Sequence, residues 1–206
     1  MRFYSILLTA SFLLLASCAS IRDITNSLAS MQKMQFKIAS LTNMKLAGVD
    51  ISKISDPKKL GVSDALSLAA AFSKGSLPAT FTLNVDARNP NNGQAGSRST
   101  PLTLNGFNWN LLIDGVKTIS GDLERPIEIP GTSAATTIPL AVSMDLMQFY
   151  KDRGYDGIIN LALALGGANG STSTVKLDAQ PTVGTPFGPL VYPGRITIVD
   201  HEFRSN

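Results

Sequence analysis

Hydrophobic and polar residues alternate with a period of two along much of this chain. In residues 80–88, TFTLNVDAR, the apolar residues Phe81, Leu83, Val85 and Ala87 fall on one side and polar residues fall on the other. Successive side chains of a β-strand point to opposite faces of a sheet, so this pattern predicts a strand with one buried and one hydrated face. Similar alternation predicts further strands at residues 107–114, 116–123, 136–144, 175–179 and 195–199.

Turn residues divide these predicted strands. Asp114-Gly115 is a favoured hairpin dipeptide, and Pro130-Gly131 predicts a turn before the strand of residues 136–144. Pro139 lies inside that strand and cannot donate to a ladder, which predicts an edge position or an outward-facing amide side. Near the start, we expect a strand to open at Met34, bend around Asn43 and resume from residue 46 to residue 51.

Three segments have helical patterns. The clearest covers residues 63–75, with Ser63 as the expected N-cap and Gly75 at the stop, and we expect it to form a crossover helix. Residues 145–152 predict a second, short helix. Residues 156–166 are compatible with a strand or a helix, and we prefer a helix ending at Gly166. Roughly eight short strands with few helices favour an antiparallel β-sandwich over an alternating α/β fold.

The first residues resemble a bacterial lipoprotein signal. Arg2 precedes an apolar run, residues 6–16, that is far shorter than the ~20 residues of a membrane span. Leu15-Ala16-Ser17-Cys18 then matches a lipobox, which implies cleavage after residue 17 and a lipid on Cys18. The alternative is that Cys18 is a small buried hydrophobe. We therefore predict a signal peptide at residues 1–17, a lipid-anchored tether at residues 18–32 and one domain at residues 33–206.

Other features narrow the class of partner. Ala19, directly after the lipobox cysteine, implies that the protein is sorted to the outer membrane of the cell envelope, without indicating which leaflet it faces. The membrane is therefore one expected partner, bound through the lipid on Cys18. The formal net charge is only +3, and the basic residues are scattered, with the highest local density at Lys58-Lys59. This distribution argues against a nucleic-acid partner. With a single cysteine, the domain has no intrachain disulfide and depends on its core.

Residues with catalytic or ligand-binding chemistry are few. His201, the only histidine, lies near the C-terminus, and the best carboxylate pair, Glu124 and Glu128, would lie about 13 Å apart on an extended strand, too wide for glycosidase chemistry. Phe107 and Trp109 fit a sandwich core better than a carbohydrate platform. The Gly-rich and Ser-rich residues 166–173 fit a connector better than an anion site. We expect no enzyme activity, no cofactor and no metal.

An ordered set of motifs resembles a known family. The segments LPATFTLNVDARNPNNGQA and LTLNGFNWNLLIDGVKTISGDLERPIEIPGTSAATTIPLAV, with SDALSLAAAF before them and VYPGRITI after them, resemble the water-stress and hypersensitive-response (WHy) domain of group-two late embryogenesis abundant (LEA) proteins. The resemblance covers most of residues 34–200. It implies an immunoglobulin-like or fibronectin-III-like sandwich with a protective or interaction role in dehydration and related stress, without an active site. Together with the helical patterns, this predicts an antiparallel sandwich with one to three short helices.

The triplet Asn89-Pro90-Asn91 belongs to that motif set. Pro90 has no amide proton and holds Asn89 in extended geometry, while Asn side chains bond to nearby backbone groups. We therefore predict that the triplet ends a strand and locks a turn. The alternative is an exposed asparagine surface used in binding.

Two functions follow from the sequence. One is a non-enzymatic, lipid-anchored envelope protein that protects against water stress. The other is an envelope binding or scaffolding module for an unidentified protein, glycan or lipid partner, which exposed apolar patches would favour.

Overall fold

Two antiparallel β-sheets face each other in the computed structural model, which describes residues 29–54, 57–94, 99–166, 173–186 and 188–199. The first sheet has the order β2-β1-β3-β7, and the second has the order β10-β8-β4-β5, with β6 also paired to β4 and β9 to β8. The strands are β1 (Gln35–Leu46), β2 (Val49–Asp50), β3 (Pro78–Arg88), β4 (Leu102–Ile113), β5 (Val116–Gly121), β6 (Ile127–Ile129), β7 (Ala135–Asp145), β8 (Val175–Thr185), β9 (Gly188–Val191) and β10 (Ile196–Val199). The predicted mainly β, antiparallel sandwich is confirmed.

The inner faces of the two sheets form one apolar core. The apolar side of β3 is buried as the alternation predicted, and the Phe36 ring of the first sheet lies 5.4 Å from the Phe107 ring of the second, measured between ring centres. Full burial of a large apolar side chain stabilises a fold by about 1.5–3 kcal/mol. Trp109 is also buried, so both aromatic residues of β4 belong to the core, as predicted.

After a helical segment at residues 29–32, the described residues contain three further helices: α1 (Val62–Ser73), α2 (Leu146–Tyr150) and α3 (Gly154–Leu165). The helical alternative for residues 156–166 is therefore confirmed. The N-cap of α1 is Gly61 and not the expected Ser63, so no side chain caps the start of this helix. The predicted second helix is divided, because α2 ends at Tyr150 and a 3-10 turn, Lys151–Arg153, follows.

The first strand differs from its prediction. It bends at Asn43, where φ is 57° and the pairing with β3 shifts register, but it continues to Leu46 and ends there. Ala47 and Gly48 both have positive φ, at 46° and 84°, which is the conformation of a tight hairpin turn. The chain therefore reverses into β2, and the predicted strand over residues 46–51 was wrong. The alternation of apolar residues gave no sign of this turn.

The sandwich has two distinct ends. β3 runs from Pro78, paired with Asp145, to Arg88, paired with Ala135, and its 11 residues span about 35 Å. We call the end near Arg88 the junction end and the end near Pro78 the helical end. β7 lies at one side of the first sheet, so the predicted edge position of Pro139 is confirmed.

The folded unit begins earlier than residue 33. Residues 29–32 are helical, and Met31, with 1% of its surface exposed, belongs to the same core as the strands. The predicted tether, residues 18–32, therefore overlaps the folded unit at its last residues, because an apolar side chain there packs into the core. Cys18, the signal peptide and His201 lie outside the described residues. No helix among the described residues is long and apolar enough to span a membrane.

Candidate functional site

The Asn89-Pro90-Asn91 triplet lies at the junction end, directly after β3. Asn89 has 0% and Asn91 has 5% of its surface exposed, and these are the buried polar residues of the described chain. Both amide hydrogens of Asn89 are used, because Nδ2 donates to the carbonyl oxygens of Thr100, at 2.9 Å, and Ile129, at 3.3 Å. Asn89 thus joins the entry to β4 to the end of β6.

The two asparagines also bond to each other. Asn89 Oδ1 accepts from the backbone N–H of Asn91 at 3.1 Å and from Asn91 Nδ2 at 2.8 Å. Asn91 Nδ2 donates in addition to the carbonyl oxygen of Ser30 at 3.2 Å. An asparagine amide has two hydrogens and an oxygen with two lone pairs, so the side chain of Asn89 is fully bonded within the protein. These two amides are not exposed to a partner.

The turn before β7 packs against the triplet. The backbone N–H of Ser133 donates to the Asn89 carbonyl at 3.1 Å, and a Cβ on Gly131 would lie 2.5 Å from the Asn91 carbonyl oxygen. Such a contact is shorter than van der Waals packing allows, so this close approach requires glycine. The triplet therefore clamps two crossings between the sheets, β3 to β4 and β6 to β7. The sequence predicted the turn but gave no signal for Ser30, Ile129 or Ser133.

A second polar cluster lies at the helical end around Asp114, the first residue of the β4–β5 turn. Its carboxylate accepts from the Thr174 N–H at 2.8 Å, from Ser173 Oγ at 3.1 Å and from Arg153 at 3.0 Å. Burial alone would raise the pKa of Asp114, but these bonds and the Arg153 charge outweigh it and hold the pKa below its ordinary value. The carboxylate is thus held ionised and fully engaged.

Tyr150 completes this cluster. Its hydroxyl donates to the Ile113 carbonyl at 2.8 Å, and the Arg153 guanidinium lies 5.0 Å from its ring centre. Burial, and secondarily the Asp114 charge, raise the pKa of Tyr150 to about 12. A tyrosine with such a pKa stays protonated at neutral pH, so it acts here as a hydrogen-bond donor that ties α2 to β4.

Asp145 is the N-cap of α2. It accepts from the Met147 N–H at 2.9 Å, from the Leu77 N–H at 2.8 Å and from Ser76 Oγ at 2.6 Å. Burial would raise the pKa of Asp145, but the bonds from Ser76, Leu77 and Met147 lower it below its ordinary value. The sequence placed a helix start here and missed the bonds to residues 76 and 77, which are distant along the chain.

The other residues considered for chemistry lie apart. Glu128 lies in β6 and Glu124 in the turn before it, both exposed, so the two are not on one extended strand as assumed. In the described ranges no three His, Cys, Asp or Glu side chains are grouped closely enough to hold a metal ion. Most of the Gly-rich and Ser-rich residues 166–173 lie outside those ranges.

The outer faces of both sheets carry amide, hydroxyl and charged groups. On the first sheet, Asn84 Nδ2 donates to Ser40 Oγ at 3.0 Å and to Thr42 Oγ1 at 3.2 Å. On the second, Arg195 bonds to Asp178 at 2.7 Å and to Asn108 Oδ1 at 2.9 Å. The first sheet also has a shallow depression of about 400 Å³, which is lined by Asn43, Lys45, Thr80, Phe81, Thr82, Ala141, Val142 and Ser143.

One surface of the described chain is apolar and exposed. On α1, Val62 has 79% and Leu66 has 66% of its surface exposed, and the two residues are four positions apart on one face of the helix. Ala69 and Ala70 extend this face and are also exposed. We call these four residues the α1 stripe. The helical pattern of residues 63–75 gave no sign that this face is exposed to solvent.

Comparison with known proteins gives only distant similarity. No family model matches the chain, and no curated protein matches it either. Similar solved structures include a provisionally assigned LEA protein, with a TM-score of 0.35 and 14% identity over 94% of this chain and 87% of its own. An Arabidopsis thaliana protein has a TM-score of 0.33 and 14% identity over 80% of each chain. A protein from Archaeoglobus fulgidus has a TM-score of 0.32 and 14% identity over 63% of this chain and 86% of its own. Scores this low carry no argument about function.

Proposed function

We propose that this protein is a non-enzymatic, lipid-anchored protein of the bacterial outer membrane that protects against desiccation and water stress. The stress role follows from the resemblance of residues 77–142 to the WHy domain, and the anchor follows from the lipobox that ends at Cys18. Neither depends on a cofactor or a metal ion.

The structural observation that supports the protective role is the polar outer surface of the sandwich. Its polar groups bond to one another in many places, as Asn84 does with Ser40 and Thr42, and as Thr137 does with Asp86 at 2.8 Å. Groups that already bond to each other lose fewer hydrogen bonds when water is withdrawn. The closed core and this surface together favour a protein that stays folded beside a drying partner.

A drying assay tests the protective role. The purified protein is mixed with a labile enzyme, and the activity that the enzyme retains is measured after drying and rehydration. We expect more retained activity than with an equal mass of an unrelated β-sandwich of similar charge, which controls for crowding. Equal retention in the two samples would contradict the protective function.

The anchor is tested separately with Cys18→Ala. We expect this variant to lose labelling by a radioactive fatty acid, because the thiol is the acceptor that a lipobox requires. Unchanged labelling would contradict lipidation at Cys18 and would leave the drying result untouched.

A specific observation favours a second function, an envelope binding module. The α1 stripe exposes two large apolar side chains next to each other, and neither contributes to the core. Single exposed apolar residues are ordinary on soluble proteins, but adjacent ones on a helix form a surface that can bind a partner.

A further inference from the structure

Folding alone does not account for the exposure of the α1 stripe. The opposite face of α1 packs inward through Leu68, which is fully buried, and through Phe72, whose ring lies 5.3 Å from the Tyr155 ring. The helix is therefore already docked through that face. Val62 and Leu66 point away from it and are the two most exposed large apolar residues of the described chain.

Exposed lysines lie at both ends of the stripe. Lys58 and Lys59 form the 3-10 turn that leads into α1, and Lys74 follows its last residue. Positive charge before the N-terminus of a helix is disfavoured by the helix dipole, so the dipole of α1 does not account for the lysine pair. A surface with apolar side chains in its centre and cations at both ends is complementary to a layer with an anionic face and an apolar interior.

We propose that the α1 stripe binds the surface of an anionic phospholipid bilayer, with Val62 and Leu66 entering the headgroup region and the flanking lysines near lipid phosphates. Two large apolar side chains on a convex helix can bury much less area than the roughly 1,200 Å² that a stable protein interface buries. This difference argues against a second copy of the chain as the binding partner. Interfacial helices bind bilayers through apolar burial added to electrostatic attraction, without needing a matching shape.

The location of the stripe determines how the protein would be oriented on the bilayer. The stripe lies at the helical end, whereas Ser30, bonded to Asn91, places the start of the folded unit at the junction end. A protein held by its N-terminal segment and also by α1 would lie with its long axis along the bilayer. The inference rests on the proposed envelope location and not on the protective activity.

A fluorophore placed within the stripe tests the contact directly. In the full chain carrying Cys18→Ser, Ala69→Cys is labelled with an environment-sensitive dye, which leaves Val62 and Leu66 in place. We expect a blue shift on vesicles of phosphatidylcholine mixed with phosphatidylglycerol, and little change on phosphatidylcholine alone. The same dye on Thr197→Cys, an exposed position of β10 in the second sheet, is expected to show no shift.

Variants separate the apolar contribution to bilayer binding from the electrostatic contribution. Val62→Ser with Leu66→Ser is expected to abolish the shift, while the matched exposed change Val191→Ser in β9 leaves it intact. Lys58→Gln with Lys59→Gln is expected to weaken vesicle affinity about thirtyfold, because each lysine near an anionic bilayer contributes about fivefold. All variants are checked for unchanged thermal unfolding.

Three outcomes would overturn the proposal. These are no shift at position 69 on anionic vesicles, an equal shift at position 197, or a shift that appears only with an envelope protein fraction and no lipid. The last outcome would assign the stripe to a protein partner. None of them depends on the drying assay, so failure of this inference is distinguishable from failure of the protective function.

Discussion

At the scale of single residues, the buried side chain of Asn89 connects separate segments of the chain at the junction end. Its side chain bonds to two segments that are distant along the chain, at Thr100 and Ile129, and to Asn91 two residues away, and it has no exposed surface. An asparagine directly after a strand usually predicts a turn, and here the turn is present. The sequence could not show the partners of Asn89, because bonds to backbone carbonyls leave no trace in the identity of the partner residues.

Asn89→Ala is expected to lower the free energy of unfolding by about 2–4 kcal/mol, because it leaves the Ile129 carbonyl and the Asn91 amide without their buried partner. Urea unfolding followed by the fluorescence of Trp109, the single tryptophan, measures the change. The matched variant is Asn92→Ala, because Asn92 is only partly buried and bonds through Nδ2 to Ser133 Oγ. We expect it to cost less than about 1 kcal/mol. Equal losses in the two variants would contradict the clamp.

At the scale of secondary-structure elements, the long alternating strands were predictable, whereas the short strands β6 and β9 were not. β3 and β8 carry enough alternating residues to show a period of two, whereas β6 has three residues and β9 has four. Those two short strands exist because a longer neighbour provides a ladder for them. α2, with five residues, is likewise too short to be stable alone and is held by Asp145 and Tyr150.

The bond between Tyr150 and β4 predicts a dependence of stability on alkaline pH. The pKa of Tyr150 is raised to about 12 in the folded protein, whereas an unfolded tyrosine titrates near 10. The folded state therefore keeps a proton that the unfolded chain releases, and this stabilisation is lost as pH rises from about 10 to 12. We expect Tyr150→Phe to be less stable at neutral pH but to show a shallower decline above pH 10. Parallel stability curves for the two proteins would exclude this link.

At the scale of the whole molecule, the sequence predicted the sandwich, its core faces and its helices, but misplaced the start of the folded unit. Met31 lies in a segment that reads as a polar tether, ASIRDITNSLASMQ, because a short helical turn offers too few residues for a periodic pattern. Met31 is buried in the core to which both sheets contribute. Only the assembled sandwich creates that core.

Met31→Ala is therefore expected to lower the free energy of unfolding by about 2–5 kcal/mol, the usual cost of emptying a buried methionine site. Gln32→Ala, at the exposed neighbouring position, is expected to change it by less than about 0.5 kcal/mol. Chemical denaturation of both full-length variants measures the difference. A result within error of the parent protein for Met31→Ala would place the boundary of the folded unit after residue 31.

Pro139 affects whether another chain can add a strand to the edge of the first sheet. β7 is a long outer strand of the first sheet, and a free strand edge is a template on which another chain can add a strand and begin fibril growth. Pro139 lies near the middle of that strand and offers no N–H to an incoming chain. When copies of the protein are forced together, this ring leaves a gap in the hydrogen-bond ladder that a strand added to β7 would need.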